Sequence, residues 1–174
     1  IGRYMRNDQN NYHGDEFTGT LDIIWKHPPG SGSSFMTLDR GEEVLSGAGW
    51  TGQPLIIREN DHDYLIIGAF DHHLKKISAD DGRLIWEYAF DDIIKGTGSF
   101  WINKQAKSKE EKYVILQGSR RGLRTSISAD KVPSFRAISY LSGKDLWQMN
   151  IKRTASYSRD VDGTALIIND TAYI

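Results

Sequence analysis

Cationic, hydroxyl-bearing and aromatic side chains recur in the Gly-rich and polar segments that separate the apolar runs of this 174-residue chain. Guanidinium, ammonium, imidazole and hydroxyl groups bind carboxylates, phosphates and sugar hydroxyls, and an exposed indole ring offers a surface for stacking. The set therefore predicts binding of a small anionic ligand, a glycan or a protein. The candidate ligand-binding residues are Trp50, Thr51, His72, His73, Lys95, Thr97, Arg120, Arg121, Ser158, Arg159 and Asp160.

Two of these segments contain side chains that also occur in metal sites. In Asp71-His72-His73, adjacent side chains of a strand turn point to opposite sides and seldom chelate one ion. The stretch "SRDVDG" (158–163) has acidic and hydroxyl groups near a glycine, but it lacks the spacing of an EF-hand loop. We favour a solvated turn for the first and a turn stabilised by Asp side chains for the second, so the sequence predicts no metal site.

For two further candidates a structural role competes with a binding role. Arg120 and Arg121 open the insertion "SRRGLRTSISADKVP" and could clamp an anion, although salt bridges to neighbouring loops are the favoured interpretation. Trp50 is flanked by "SGAG" and "TGQP", so its ring is free either to stack on a ligand or to pack between sheets. For Trp50 both alternatives stay open.

Composition and motifs exclude several classes of function. The 22 basic residues balance 23 acidic ones, so nucleic acid is not an implied partner. The chain has no cysteine, which excludes disulfides and cysteine nucleophiles, and no phosphate loop, nucleophile elbow or triad spacing occurs. No apolar run approaches the roughly 20 residues of a membrane helix. Whether the protein is an enzyme therefore stays uncertain.

The elements that carry these residues are predicted by an internal repeat. Trp25, Trp86 and Trp147 are each 61 residues apart, and "ISADDGRLIW" and "ISYLSGKDLW" match at identical offsets through Gly82 and Gly143. Repeats of this length indicate an array of similar structural units. We assign the tryptophans to packing between units and the glycines to tight turns.

Within each repeat, short runs rich in β-branched and aromatic residues are bounded by Gly, Asp and Asn, which is typical of strands. The pattern predicts one partial all-β propeller domain over 1–174, built from four-stranded antiparallel blades and almost without helix. Its repeats cover about 52–90, 98–150 and 163–174, and residues 21–27 form the outer strand of a preceding blade. The predicted strands are 52–58, 64–70, 74–79, 83–90, 98–103, 113–119, 134–140, 144–150, 163–169 and 171–174.

This arrangement predicts where the candidate residues meet. Strands of a meander alternate in direction, so the turn after each second strand and the connection to the next blade emerge on the same face. We call it the connection face. All eleven candidates fall on its turns and connections, and ligands of propellers commonly bind there, around the central channel.

The tryptophan ladder also carries a resemblance. "ISADDGRLIW", with Ala79 and Gly82 in register, resembles the outer-strand pattern Ala-x-Asp-x-x-Thr-Gly-x-x-x-Trp of the pyrroloquinoline-quinone-like repeat family, and "ISYLSGKDLW" keeps its Gly-to-Trp spacing. The resemblance extends from about Leu21 onward. It implies a ring of about seven or eight blades, which the rest of a propeller or another copy of the chain would have to complete.

The resemblance leads to two expectations of function. The first is a non-catalytic propeller module of a bacterial envelope or secreted protein, periplasmic or extracellular, that binds a protein, a glycan or a small anionic ligand. The alternative is part of a quinoprotein alcohol or sugar dehydrogenase. No cofactor is evident from the residues. Pyrroloquinoline quinone and calcium are implied by the resemblance alone, and the adjacent-cysteine disulfide common in those enzymes is absent.

Overall fold

The structure, a computed structural model, describes residues 19, 22–36, 40–49, 52–153 and 158–174. These residues form a nearly all-β fold of antiparallel strands in two four-stranded sheets and two two-stranded pairs, with no closed barrel among them. The architecture is that of a partial propeller-like fold, as the sequence predicts. No helix in the described part of the chain is long and apolar enough to cross a membrane.

Among the described residues, a hairpin comes first and is followed by two complete sheets in which consecutive strands are neighbours. The hairpin consists of β1 (Ser31–Phe35) and β2 (Glu42–Ser46). The first sheet contains β3 (Leu55–Glu59), β4 (His62–Gly68), β5 (His73–Ser78) and β6 (Leu84–Ala89). The second sheet contains β7 (Ser99–Ile102), β8 (Tyr113–Gly118), β9 (Phe135–Ser139) and β10 (Asp145–Met149).

Two smaller elements complete the described chain. A pair formed by β11 (Leu166–Ile168) and β12 (Thr171–Tyr173) follows the second sheet. A single helical turn, α1 (Lys109–Lys112), lies in the charged segment between β7 and β8. Ser108 caps this turn by accepting a hydrogen bond from the backbone N–H of Glu111. Every strand predicted beyond residue 52 is confirmed, with its ends shifted by at most three residues.

The core lies between successive sheets, because each sheet buries residues on both faces. Ile66 and Leu74 of the first sheet pack with Ile115 and Ile138 of the second, and all four are at most 1% exposed. On its other face the second sheet presents Leu116 and its neighbours to the β11–β12 pair. Because the middle strands are buried on both sides, apolar and polar residues do not alternate strictly along them.

The repeated tryptophans join each unit to the next one in the same way. Trp25 donates its indole N–H to the carbonyl of Ala79 at 2.7 Å, and Trp86 donates to the carbonyl of Tyr140 at 3.0 Å, with a separation of 54 residues in both cases. In each case the indole ring lies against a glycine of positive φ, Gly82 (+74°) or Gly143 (+71°). The same three ring atoms, Cγ, Cδ2 and Cε3, are nearest to the glycine. The predicted packing role is therefore confirmed for Trp25 and Trp86.

Two features differ from the sequence-based expectations. Residues 22–27, the described part of the predicted outer strand 21–27, are irregular, because no third strand pairs with them among the described residues. Trp25 nevertheless makes the contact expected of that strand. The β1–β2 hairpin was not predicted, since its Ser- and Gly-rich first strand has low β propensity.

Candidate ligand-binding face

The turns and connections predicted to share one face do lie together. The backbone N–H of Ile94, in the connection after the first sheet, donates to the carbonyl of Ala69 in the turn after β4 at 3.2 Å. The N–H of Val161 makes the same bond to the carbonyl of Ser119, after β8, at 2.9 Å. The connection face is thus a row of loops tied to one another by backbone hydrogen bonds.

Arg120 is committed to a polar network within the protein. Its guanidinium donates to Asp160 and to the Oγ of Ser34, each at 3.0 Å, and the Ser34 hydroxyl donates to Asp92 at 2.6 Å. Ser34 and Asp92 are buried, and the side chains of Arg120 and Asp160 are both 12% exposed. The network joins the β1–β2 hairpin to the loops that follow both complete sheets.

Two further cations on this face also have internal partners. Arg159 is 3% exposed and donates to the backbone carbonyls of Ile127, Ala129 and Ile151. It therefore clamps the insertion after β8 to the connection that follows β10. Lys95 pairs with Asp162 at 2.5 Å and so links two successive connections.

The histidines contact the protein itself. One ring nitrogen of His72, Nε2, lies 2.7 Å from the carbonyl of Ser33, and Nδ1 of His73 lies 2.7 Å from the carbonyl of Asp71. The Asp71 carboxylate pairs with Lys75, whose side chain is 6% exposed. No cluster of three or more metal-ligating side chains occurs in the described part of the chain.

The remaining candidates have local or undetermined roles. Thr97 accepts the backbone N–H of Gln53 at 2.7 Å, and Arg121 donates from its side chain to the carbonyl of Thr125 at 2.9 Å. Ser158 accepts the backbone N–H of Asp160 at 3.0 Å. Trp50 and Thr51 lie outside the described residues.

A groove lies beside the first strands of three successive units, next to the connection face. Its volume is about 330 Å³, and its walls are mostly apolar. Leu55 of β3, Ile102 of β7 and Ile167 of β11 contribute from three different sheets, and Thr97 is the described candidate that lines it. Sequence reasoning missed the groove because no motif marks it. It arises only when the first strands of neighbouring sheets lie side by side.

On the opposite face, a charged cluster lies between the two complete sheets. The Nζ of Lys76 is 3.6 Å from the ring centre of Tyr140 and 3.3 Å from the carboxylate of Glu59, which also accepts the Tyr140 hydroxyl at 2.8 Å. Burial lowers the pKa of Lys76, and it raises the pKa of Tyr140 above its usual range, with a further contribution from the hydrogen bond to Glu59. The Tyr64 ring faces Lys76 from β4.

The raised pKa of Tyr140 predicts a loss of stability at alkaline pH. The unfolded chain releases the tyrosine proton above about pH 10, while the folded chain retains it, so rising pH favours unfolding by up to about 1.4 kcal/mol per pH unit. Lys76 acts with the opposite sign because its folded-state pKa is lowered. In urea titrations above pH 10, the free energy of unfolding should therefore fall more steeply with pH for the wild type than for Tyr140→Phe. Parallel pH profiles would contradict this assignment.

Comparison of the chain with protein-family models and with curated proteins gave no match.

Proposed function

We propose that this chain is a non-catalytic binding module of the propeller type, and that it binds an apolar segment of a partner polypeptide in the groove beside β3, β7 and β11. The observation that carries the proposal is the groove itself, with a volume of about 330 Å³ and mostly apolar walls from three successive units. Membership of the pyrroloquinoline-quinone-like repeat family and a location in the bacterial envelope or outside the cell are part of the proposal and rest on the sequence resemblance.

The chemistry of the face supports a polypeptide over a small anion. Arg120, Arg159 and Lys95, the cations expected to meet an anion, are engaged by Asp160, by backbone carbonyls and by Asp162. An anion would have to displace these partners. By contrast, Ile102 is 48% exposed in the groove wall, where an apolar side chain would remove it from water. Apolar anchors in concave surfaces commonly dominate the affinity of protein interfaces.

The described residues do not fit the alternative with a quinone and calcium. Three acidic groups of the connection face pair with cations of the chain, Asp71 with Lys75, Asp160 with Arg120 and Asp162 with Lys95, and only one oxygen of Asp162, Oδ1, is buried without a hydrogen-bond partner among them. No set of three carboxylates or histidines converges among the described residues.

Substitution of Ile102 provides the test of the groove. Peptides selected from a random display library against the whole chain should bind the Ile102→Asp variant at least about tenfold more weakly, which corresponds to about 1.4 kcal/mol. The reason is that a carboxylate in the apolar wall must be desolvated when the peptide binds. Dissociation constants from isothermal calorimetry measure the effect.

The matched control is Ile56→Asp. Ile56 also lies in the first strand of its sheet and is 42% exposed, but it does not line the groove. Its affinity for the selected peptides should equal that of the wild type. Equal losses of peptide affinity in the two variants, or a library that yields no binder, would refute the proposal that peptides bind in the groove. If the protein binds on a glycan array and only the Ile102→Asp variant loses this binding, the ligand of the groove is a sugar rather than a polypeptide.

A further inference from the structure

The groove beside β3, β7 and β11 follows the edge of β7 rather than one face of its sheet. Side chains of consecutive strand residues point to opposite faces of a sheet. Phe100 packs against the core cluster between the two complete sheets, as Leu55 does. Trp101 packs on the other side, against the cluster that Ile167 also contacts. All four residues line the groove, and a groove that touches both faces of one strand has to run along the edge between them.

This edge carries backbone groups that no described strand pairs with, because β7 is the end strand of the second sheet. The N–H of Asn103 donates to the carbonyl of Lys112 at 2.9 Å, and the register between β7 and β8 is unbroken. In antiparallel pairs, residues bonded to the partner strand alternate with residues whose N–H and C=O point away from it. Trp101 is therefore bonded to β8, whereas Phe100 and Ile102 direct one N–H and one carbonyl each toward the groove.

The open edge lies in the interior of the repeat array. β7 begins a complete sheet, and residues of the preceding and the following unit flank it in the groove. None of the described lining residues is ionisable, and the polar side chains among them are the hydroxyls of Thr97, Ser99 and Thr164. A ligand of this groove therefore has to supply hydrogen-bonding groups along the β7 edge and uncharged groups toward the walls.

An extended polypeptide segment meets both requirements. Its backbone N–H and C=O groups alternate in direction from one residue to the next, with a rise of about 3.3 Å per residue, so every second residue matches the β7 edge. A helix bonds its own backbone internally and leaves the groups of the edge without partners. Because the groove has an apolar wall on each side of β7, the segment should be apolar at consecutive positions rather than at alternate ones.

We infer that the groove binds its polypeptide partner as an added β-strand, paired with β7 through the backbone groups of Phe100 and Ile102. The paired part of the partner is uncharged, is apolar on both faces, and matches the length of β7 (Ser99–Ile102). In strand addition, main-chain hydrogen bonds provide affinity and side-chain pockets provide selectivity. The inference rests on the proposed function, which states only that an apolar segment binds in the groove.

Methylation of the peptide backbone tests the pairing. Single N-methyl groups are placed at each successive position of the tightest-binding library peptide. A methyl group removes one N–H and separates the paired strands, so affinity should fall at least about tenfold at positions that face β7. At the positions between them it should change by less than about twofold. Calorimetric titration of the whole chain gives the dissociation constants, and losses that do not alternate with a period of two would overturn the inference.

Two substitutions of Ile102 test the same pairing from the side of the protein. Ile102→Pro and Ile102→Val both keep an apolar side chain in the groove wall, but proline has no N–H to donate. Proline is tolerated at an edge position whose N–H does not bond within the sheet. Peptide affinity should therefore fall at least about tenfold in Ile102→Pro and stay within about twofold of the wild type in Ile102→Val. Circular dichroism checks the fold, and if Ile102→Pro does not fold, the methylation scan decides alone.

Failure of the inference differs from failure of the proposed function. Peptides that lose affinity in Ile102→Asp, but show neither the period of two nor a difference between Ile102→Pro and Ile102→Val, bind in the groove without adding a strand. That result overturns the inference alone. A library that yields no binder, or equal losses in Ile102→Asp and Ile56→Asp, overturns the proposed function and the inference with it.

Discussion

Replacement of Gly96 with alanine is expected to lower the free energy of unfolding by about 3 kcal/mol or more. A Cβ at this position would overlap the backbone carbonyl of Asp162 in the next connection. Backbone atoms cannot move aside as the end of a flexible side chain can, so the two connections would have to separate. Separation would also disturb the Lys95–Asp162 pair and the hydrogen bond from the Gln117 amide to the Gly96 carbonyl. Urea denaturation followed by circular dichroism measures the loss.

Gly163→Ala is the matched control for this substitution. Gly163 lies in the connection that follows Gly96 along the chain, yet a Cβ there would meet no atom within 4 Å. Its effect should stay within about 0.5 kcal/mol. If both alanine variants unfold at the same urea concentration, close stacking of the connections does not determine the stability of the connection face.

The strands could be predicted because local sequence and repeat period point to the same arrangement. Apolar runs such as "YLIIGAF" are bounded by turn residues, and Gly82 and Gly143, both with positive φ, lie in the turns before the outer strands. The hairpin formed by β1 and β2 has neither an apolar run of this kind nor a match to the repeat. It is held instead by long-range bonds, such as that from Ser34 to Asp92, and a local pattern does not contain them.

The loops of the candidate site could be placed on one face, but the partners of their side chains could not be predicted. Strand alternation brings Arg120 and Asp160 to the connection face whatever their role. Whether a guanidinium there meets a ligand or an aspartate depends on distances of a few ångströms between loops of variable length. Arg159 shows the difficulty, since an arginine in a polar segment predicts exposure and the structure buries it against backbone carbonyls.

The groove could not be predicted for a related reason. Ile102 is an ordinary apolar strand residue in sequence, and only the side-by-side position of β3, β7 and β11 turns it into part of a concave wall. Binding surfaces of this kind are properties of the assembled repeats rather than of any one of them.

Substitution of Trp86 and of Trp147 with alanine should have very different costs, although the two residues occupy the same position of the repeat. Trp86→Ala removes a ring packed on Gly143 and a hydrogen bond to Tyr140, and we expect a loss of about 3–4 kcal/mol in the free energy of unfolding. Trp147 lacks both contacts and is 41% exposed, so its replacement should cost about 1 kcal/mol in the monomer.

The comparison isolates the contribution of the following unit, because sequence context and strand position are nearly the same in the two cases. Urea denaturation followed by circular dichroism measures both losses. Equal losses would mean that the tryptophans stabilise their own sheets rather than the junction to the next one. The repeated indole–glycine contact would then contribute little to the free energy of unfolding wherever it forms.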